Sequence, residues 1–466
     1  MRVRSIHPER LARSRRARLL ALPLLLSAAL VAQVPGSSGS PAGATTSGSA
    51  AATTWTTTVP TGRAPSDIVT NCLTTPPAPG NPPQCYTPRV LRAAYGIQSL
   101  LDRGTDGRGE TVTVVSPAPS SSTSPPGQVP PTVTDIRQDL AAYDGEFGLP
   151  AARIEVVTSL AGGSLSPWLA TGEEVGDFEV LHTVAPDATL RVVLLPSDVL
   201  TSAATAATDM LAALRLAVSH TDVASISWSL GEHYFTTAQL AQMQSILSWA
   251  AAHHVTVLAA SGDHGASSDP WWGTPDKEVS LPASDPLVLG VGGTLLDANP
   301  FTGAYISETA MPGPGRGTGT SGGGFSHLYA TPTYQGGVPG IATTRGGPDV
   351  SAAGIGNIPF IFTSGGKTDI ISLFGTSGST PLWGGVVALA DQYARHDLGF
   401  VNPALYRIAG SPAYPQAFHD VTVGTNTITI GSVTITGYQA GPGWDPVTGW
   451  GSPNAQVLVP LLAACG

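Results

Sequence analysis

The sequence predicts an α/β fold in which a mostly parallel sheet is covered on both faces by helices. This prediction rests on two kinds of segment that alternate along the chain. Short apolar runs rich in β-branched residues indicate buried strands, and longer stretches of helical character lie between them. The predicted strands are residues 189–196, 223–229 and 255–260, and the predicted helices are residues 203–220 and 237–254. A chain of 466 residues is long enough to bury a large core in one main domain.

Residues 1–32 have the pattern of a secretory signal peptide. Residues 1–18 are basic, and residues 19–32 form a largely apolar run. That run is shorter than the ~20 apolar residues that a membrane-spanning helix needs. We therefore expect a secreted, extracellular protein with no stable membrane association once the signal is removed.

Residues 33–85 are predicted to be a flexible, low-complexity leader, because Ser, Thr, Ala and Gly dominate its first part. The three cysteines of the chain fit an exported protein. Cys72 and Cys85 could close a short loop or could both be free thiols, and Cys465 is left over. The folded domain is then expected over residues 86–466.

The charge composition argues against a nucleic-acid partner. Charged residues make up 12% of the chain, only two of them are lysines, and the formal net charge is -10. A sparsely charged surface gains little self-repulsion when its carboxylates become protonated. The composition therefore suits work in acid.

The run Gly-Thr-Ser-Gly-Ser-Thr-Pro at residues 375–381 has the form of a nucleophile turn, because an apolar helical stretch, residues 382–390, follows it. Small residues let a substrate backbone approach Ser377, and the start of a helix directs free N–H groups and its positive end at the same point. We expect Pro381 near the first turn, where it removes no helical hydrogen bond. The alternative is an ordinary turn with an N-cap.

A serine nucleophile needs a group that accepts its proton, and this group is usually histidine. None of the ten histidines has the sequence context of such a base. Glu173 and Asp177 offer two carboxylates at i and i+4, which share one face if the segment is helical. The alternative interpretation is a solvated acidic helix start.

A third acid, Asp263, follows the predicted strand 255–260 and is flanked by glycines. In a parallel α/β sheet, sites are built at the carboxyl ends of the strands. Asp263 could equally be the aspartate of an Asx turn.

Together these residues resemble the sedolisins, the serine-carboxyl peptidases that have a subtilisin-like fold and a Ser-Glu-Asp set in place of a histidine-containing triad. The resemblance covers roughly residues 86–464, and its landmarks occur in family order. Besides the acids and Ser377, the landmarks are Tyr86-Thr87-Pro88, Ser225-Ile226-Ser227-Trp228, Leu281-Pro282-Ala283-Ser284, Ser321-Gly322-Gly323-Gly324 and Pro348-Asp349-Val350-Ser351.

The resemblance implies a secreted, acid-acting peptidase that cleaves proteins or peptides through an acyl-serine intermediate. Ser377 would be the nucleophile, Glu173 its general base, Asp177 the support of that base, and Asp263 the oxyanion-hole acid. Glutamate, with a reference pKa near 4.3, stays partly ionised where histidine is fully protonated, whereas Asp263 must keep a proton to donate. We expect a monomer.

Two other functions would use some of the same residues. A catalytically silent homologue that binds peptides or a surface partner would normally have lost a catalytic residue, whereas all four positions are filled here. A glycosidase also uses paired carboxylates, but two acids one helical turn apart cannot flank a glycosidic bond.

The resemblance also implies one structural Ca²⁺ ion near the C-terminus. Its ligands would be the carboxylates of Asp420 and Asp445 and the carbonyls of Val421, Gly441 and Gly443. Oxygen-only ligands suit a hard cation. The chain departs from the family pattern in its short leader, since most sedolisins carry a long folded propeptide.

Overall fold

The computed structural model describes residues 53–62, 73, 85–117, 134–158, 169–170, 172–195, 202–267, 275–311, 319–364 and 367–465. The predicted signal peptide and Cys72 lie outside these residues. Cys85 is disulfide-bonded and Cys465 is a free thiol. Within the described segments, we find no helix with the length and apolar character that crossing a membrane requires.

The strands, in chain order, are β1 (Thr53–Thr58), β2 (Thr111–Pro117), β3 (Thr134–Asp135), β4 (Arg153–Thr158), β5 (Leu169–Ala170), β6 (Thr189–Leu195), β7 (Val223–Ile226), β8 (Leu230–Gly231), β9 (Thr256–Ala260), β10 (Ser280–Leu281), β11 (Leu289–Ala298), β12 (Tyr305–Ala310), β13 (Gly324–Ala330), β14 (Thr344–Gly347), β15 (Val350–Ala353), β16 (Ile355–Ser364), β17 (Lys367–Phe374), β18 (Phe418–His419), β19 (Ile428–Ile430), β20 (Val433–Ile435) and β21 (Ser452–Pro453).

The helices are α1 (Pro88–Ala94), α2 (Gln98–Leu101), α3 (Ile136–Phe147), α4 (Gly172–Val184), α5 (Ala203–Ala217), α6 (Thr237–Ala252), α7 (Thr376–Ala394), α8 (Asn402–Ala409), α9 (Tyr414–Ala417) and α10 (Ala455–Ala463). Two short 3₁₀ turns lie at Glu232–Tyr234 and Thr333–Gln335.

The main sheet is mostly parallel, as the sequence predicted. Over the described residues it has nine strands, of which eight follow the order β1-β4-β6-β2-β7-β9-β11-β12, with β15 also paired to β11. The pairs from β4 through β11 and the pair β11–β15 are parallel. The flanking strands β1 and β12 are antiparallel to their neighbours.

Successive strand residues point to opposite sides of the sheet, so apolar side chains form a core on each face. Helices cover both of these faces. On one face, Val114 and Leu258 belong to the core beneath α4, α7 and α10. On the other face, Val115 and Val257 belong to the core beneath α5 and α6. Strands buried on both faces explain the continuous apolar runs in the sequence.

The outer helices α5 and α6 begin at capping boxes and end earlier than the sequence predicted. In α6 the Thr236 hydroxyl accepts the Gln239 N–H at 3.3 Å, and the Gln239 side chain accepts the Thr236 N–H at 2.9 Å. The predicted ends at His220 and His254 extend too far, because both residues have left-handed φ angles, 56° and 57°. A left-handed residue cannot continue a right-handed helix.

The predicted leader is not wholly flexible. Residues 53–58 form β1, an edge strand paired antiparallel to β4 with Thr54 opposite Val157. This segment is rich in threonine, a β-branched residue that favours strands. The following Val59 is buried, and its N–H donates to the Ala152 carbonyl at 2.8 Å. The folded domain therefore includes residues upstream of the predicted boundary at residue 86.

The topology brings three segments to one edge of the sheet. Ser227 follows the end of β7, and Ser261 to Asp263 follow the end of β9. These strands are parallel, so their carboxyl ends meet at the same edge. The start of α7, which carries Ser377, lies at this edge as well, since Thr376 hydrogen-bonds to Asp263.

Candidate active site

The turn before Ser377 can be built only with glycine. Gly375 has a φ of 111°, a region that other residues rarely adopt, and a Cβ atom there would lie 2.4 Å from Oδ2 of Asp263. Helix α7 begins at the next residue, Thr376. Ser377 is therefore the second residue of the helix, and its N–H is among the first four, which have no partner within the helix.

The Ser377 hydroxyl lies between two acceptors. Its Oγ is 3.4 Å from the Ser227 carbonyl, and the hydroxyl also hydrogen-bonds with the carboxyl of Glu173. Ser377 itself is 8% exposed, so the residue is largely shielded from solvent. The serine is thus in contact with a carboxyl, the acceptor that the sequence proposed for its proton.

Pro381 differs from the sequence expectation. Because α7 begins at Thr376, Pro381 is its sixth residue and lies inside the helix. Proline has no N–H, so it cannot donate to the carbonyl of Ser377 four residues earlier. The Thr376 carbonyl accepts the hydroxyls of Ser379 and Thr380 at 2.9 and 2.7 Å.

Glu173 lies in the first turn of α4, beside Ser377. Its Oε1 atom is buried. Burial raises the pKa of Glu173 to about 7, the hydrogen bond with Ser377 works against that rise, and the charges of Asp263 and Glu174 add to it. Glu173 is therefore a stronger base than a carboxylate in water, and a smaller fraction of it is ionised in acid.

Asp177 lies one helical turn beyond Glu173 and has no exposed surface. Burial raises its pKa well above the ordinary value, the Glu173 charge raises it further, and the Ser227 hydroxyl opposes the rise. Two buried carboxyls this close cannot both ionise easily, so they retain a proton between them. The solvated acidic helix start weighed above is wrong for this pair.

Asp263 is tied to the turn that carries the serine. Its Oδ1 accepts the N–H of Thr376 at 2.7 Å and the hydroxyl of Thr376 at 2.9 Å. Its Oδ2 faces Gly375, the residue that directly precedes Thr376. These bonds connect positions 113 residues apart, so they are not those of a local Asx turn.

The sequence did not single out Thr376 or the hydroxyl of Ser227 as part of this site. Thr376 fixes Asp263 through two hydrogen bonds, and Ser227 contacts both Ser377 and Asp177. Their only sequence signals were their positions, next to the predicted nucleophile and at the end of a predicted strand. Both residue types are common in turns, so these signals are weak.

Histidine plays no part in this contact set. Across the described segments, no histidine hydrogen-bonds to Ser377. The fully buried His182, which lies on the same helix as Glu173, places its Nε2 3.0 Å from Asp144 and 2.8 Å from the Pro150 carbonyl. The acceptor in contact with the serine hydroxyl is therefore a carboxyl.

The residues predicted to bind calcium meet in a C-terminal loop region. Asp420 accepts the Gly443 N–H at 3.0 Å, and Asp445 accepts the Gly441 N–H at 3.1 Å. The two acids, which are 25 residues apart in the sequence, therefore contact the same short segment.

Val421 belongs to the same group. The Thr448 hydroxyl lies 3.2 Å from the Val421 carbonyl and 3.0 Å from Oδ2 of Asp445. Burial raises the pKa of Asp445 to about 6, against the lowering effect of its hydrogen bonds. A buried acid beside a second acid and a carbonyl fits a hard cation such as Ca²⁺.

Comparisons with known proteins identify the family to which the chain is similar. The sequence model of the subtilase family matches residues 155–407. Kumamolisin of Bacillus sp. (strain MN-32) is 32% identical over 397 residues, which cover 82% of this chain and 64% of kumamolisin. Human tripeptidyl-peptidase 1 is 33% identical over 262 residues, which cover 52% of this chain and 43% of that protein. The chain thus spans less than two thirds of the length of either relative.

A solved structure is similar over most of the described fold. Pseudomonas sedolisin, a serine-carboxyl proteinase complexed with two molecules of pseudo-iodotyrostatin, superposes with a TM-score of 0.64 at 25% sequence identity. The match covers 81% of this chain and 97% of that one. The mostly parallel sheet and its two helical layers are therefore those of a subtilisin-like fold.

Proposed function

The chain belongs to the sedolisins within the subtilase family, and on that premise we propose that it hydrolyses peptide bonds with Ser377 as the nucleophile. The observation that carries the proposal is the hydrogen bond between Ser377 and Glu173 at the start of α7. It joins a hydroxyl on a nucleophile turn to a carboxyl whose basicity is raised by burial. The substrates would be proteins or peptides.

In the acylation step, Oγ of Ser377 attacks the substrate carbonyl carbon while its proton passes to Glu173. The carbonyl oxygen becomes an oxyanion in a tetrahedral intermediate. The intermediate collapses as the C–N bond breaks, and Glu173 returns the proton to the leaving amine. The product is an acyl-Ser377 ester and a free amine.

In the deacylation step, water takes the place of the amine. Glu173 accepts a proton from the water as its oxygen attacks the ester carbon, and the proton then returns to Oγ of Ser377 as the ester bond breaks. The carboxylic acid product is released and the hydroxyl is restored. The same carboxyl therefore serves as base and acid in both halves of the reaction.

Asp177 acts as a positioning residue in this proposal. It is fully buried next to Glu173, and the pair retains a proton. A protonated Asp177 can donate to Glu173 and hold it toward Ser377. This support has the same logic as the acid that orients the base in other serine hydrolases.

The oxyanion would be held by Asp263 and by the N–H of Ser377. Oδ1 of Asp263 is occupied by two bonds from Thr376, which leaves Oδ2, on the Gly375 side, as the oxygen that can carry a proton. A protonated acid donates to the oxyanion, whereas an ionised one would repel it. Asp263 must therefore be protonated in the active form.

These two requirements set the working pH. Burial raises the pKa of Glu173 to about 7, so its ionised fraction falls as the pH drops below that value. Asp263 must be the neutral, donating form at the same time. We propose an optimum on the acid side of about pH 7, less strongly acidic than the reference pKa of glutamate alone implies.

A calcium site, secretion and a monomeric state are further parts of the proposed function. We propose that Asp420, Asp445 and the carbonyls of Val421, Gly441 and Gly443 bind one structural Ca²⁺ ion. When bound, the ion would stabilise the C-terminal loops, which lie apart from the reacting groups. We also propose that the basic and apolar N-terminal segment directs secretion. The secreted protein would be a monomer.

A peptide-aldehyde label tests the nucleophile directly. Serine attack on the aldehyde gives a hemiacetal, and mass spectrometry after digestion of the labelled protein locates a stabilised adduct. We expect an adduct at Ser377 and none in Ser377→Ala. Ser379→Ala is the matched control, because Ser379 lies on the same helix with its hydroxyl bonded to the Thr376 carbonyl. Peptide hydrolysis undiminished in Ser377→Ala would overturn the proposal, and labelling without hydrolysis would indicate a catalytically silent homologue.

A further inference from the structure

Four acids gather at the end of the sheet opposite Ser377. Glu110 immediately precedes β2 and Asp222 immediately precedes β7, so both lie at the amino ends of parallel strands. Asp391 lies in the last turn of α7, and Asp397 follows the same helix. Helix α7 therefore carries the nucleophile at one end and two of these acids at the other.

Three of the acids converge on one point. One carboxylate oxygen from each of Glu110, Asp222 and Asp397 lies within 4.8 Å of the other two. All three residues are half-buried. Asp222 also accepts the Thr111 N–H at 2.6 Å, which holds its carboxylate against the start of β2. A separation of this size is compatible with three ligands of one cation.

The fourth acid, Asp391, provides an independent observation. It is 1% exposed, and its Oδ1 accepts the Leu398 N–H at 2.9 Å. Its Oδ2 has no hydrogen-bond partner among the described residues. Its pKa is raised first by burial and then by the charges of Glu110, Asp397 and Asp222, so it lies near the other three acids. A buried carboxylate oxygen without a partner normally requires a ligand or a proton.

No positive side chain neutralises this group in the described residues. None of the four acids takes part in an ion pair there. Arg108, two residues before Glu110, is paired with Asp106 and Asp187 instead. Burial raises the pKa of Glu110 to about 7, and the charges of Asp222 and Asp397 add to the rise. When ionised, the four carboxylates therefore repel one another.

We propose that Glu110, Asp222 and Asp397 bind a divalent metal cation, with the buried carboxylate of Asp391 beside it. A set made only of carboxylate oxygens selects a hard cation, and acidic ligands with flexible geometry suit Ca²⁺ best. The ion would tie the starts of β2 and β7 to the far end of the helix that carries Ser377. It is a second site, separate in sequence and in its contacts from the loops of Asp420 and Asp445.

A second cluster in the described residues, made of two carboxylates and a histidine, is less suited to a cation. Glu232, Glu278 and His327 also lie within 4.8 Å of one another. The oxygens of Glu232 already accept the hydroxyls of Ser284 and Ser326 and the N–H of His327. This cluster is satisfied by the protein itself, whereas Oδ2 of Asp391 is not.

Calcium titration of the purified protein tests the proposal. The host is the Ser377→Ala, Asp445→Ala variant, which prevents self-digestion and removes the C-terminal acid. Isothermal titration calorimetry with CaCl₂ at about pH 7.5 should give one bound ion per chain, because a higher pH favours the deprotonated ligands. Adding Asp391→Asn to this host should raise the Kd for Ca²⁺ by about tenfold or more, and adding Asp397→Asn should do the same.

Glu146→Gln is the matched control, because Glu146 is exposed on α3 and its substitution removes the same charge. It should leave the Kd unchanged. Asp397→Asn decides the matter if circular dichroism shows that Asp391→Asn does not fold. Absence of calcium binding by the host, or a Kd unchanged by the folded variants, would overturn the proposal. Neither readout depends on peptidase activity.

Discussion

The burial of Glu173 predicts that its removal stabilises the protein at neutral pH. Folding raises the pKa of Glu173 from 4.5 to about 7. Below the lower value the carboxyl is protonated in both the folded and the unfolded state, so the shift has no effect. As the pH rises toward 7, the unfolded chain ionises freely while the folded protein must keep the proton or bury a charge. Stability is therefore lost as the pH rises through this window.

The size of the effect follows from the shift. A rise of about 2.5 pKa units, at 1.36 kcal/mol per unit, corresponds to about 3 kcal/mol of unfolding free energy. Glutamine has nearly the same shape and carries no charge. Glu173→Gln should therefore gain about 3 kcal/mol of stability at pH 7.5 relative to its effect at pH 4. Glu173 would then be a residue that is kept for catalysis although it lowers the stability of the folded protein.

The assay is urea unfolding at both pH values in a Ser377→Ala host, which cannot digest itself. Loss of the serine hydroxyl also removes the hydrogen bond that lowers the pKa of Glu173, so the host should enhance the effect. Comparing the two pH values cancels any effect of glutamine that does not depend on pH. Glu146→Gln is the exposed control and should show no such difference. An equal effect of Glu173→Gln at both pH values would refute the reasoning.

Three further predictions follow from the same structure. Ser377→Ala and Glu173→Gln should each lower kcat/KM by roughly 10⁴-fold or more, and the double variant should be hardly worse than either, because the two residues act as a unit. Chelation of Ca²⁺ should lower the Tm of wild type by more than that of Asp445→Ala, as differential scanning calorimetry can show, since an ion that binds only the folded state stabilises it and the variant keeps only the second proposed site. Asp263→Asn should keep measurable activity and extend it toward neutral pH, because an amide can accept from Thr376 and still donate an N–H at every pH. Asp263→Ala should lose roughly 10²–10³-fold, the effect of a missing oxyanion donor.

Each of these predictions can fail in a distinct way. Activity within a few-fold of wild type in either single variant would remove Ser377 or Glu173 from the mechanism. Equal responses of wild type and Asp445→Ala to chelator would mean that the ion is bound elsewhere. Full activity in both Asp263 variants, with folding verified by circular dichroism, would leave Asp263 as a structural link to Thr376 only.

The sequence predicted the parts of the fold that depend on local pattern. The buried strands at 189–195 and 256–260 are short, mostly apolar runs, and the helix that carries Ser377 follows a glycine turn. These features depend on residues close in the chain, which is why periodicity and turn chemistry detect them. The i and i+4 spacing of Glu173 and Asp177 likewise predicted that both would lie on one helical face.

The remaining features depend on contacts between distant residues. The bonds from Thr376 to Asp263 span 113 residues, and nothing in either local pattern indicates them. The raised pKa of Glu173 arises from burial against the rest of the fold, so a reference value misjudged it. Residues 53–58 form a strand by pairing with β4, more than 90 residues away, and this long-range contact is not visible in the Ser/Thr/Ala/Gly-rich stretch that contains them.

The central claim is that Ser377 and the carboxyl of Glu173 together cleave peptide bonds on the acid side of neutrality. Its most direct test is kcat/KM of the purified protein on a peptide substrate from about pH 3 to about pH 8, beside Ser377→Ala. The account predicts a bell-shaped profile with its maximum below about pH 7, and no hydrolysis by Ser377→Ala. A maximum above neutral pH, or hydrolysis that survives the loss of Ser377, would contradict it.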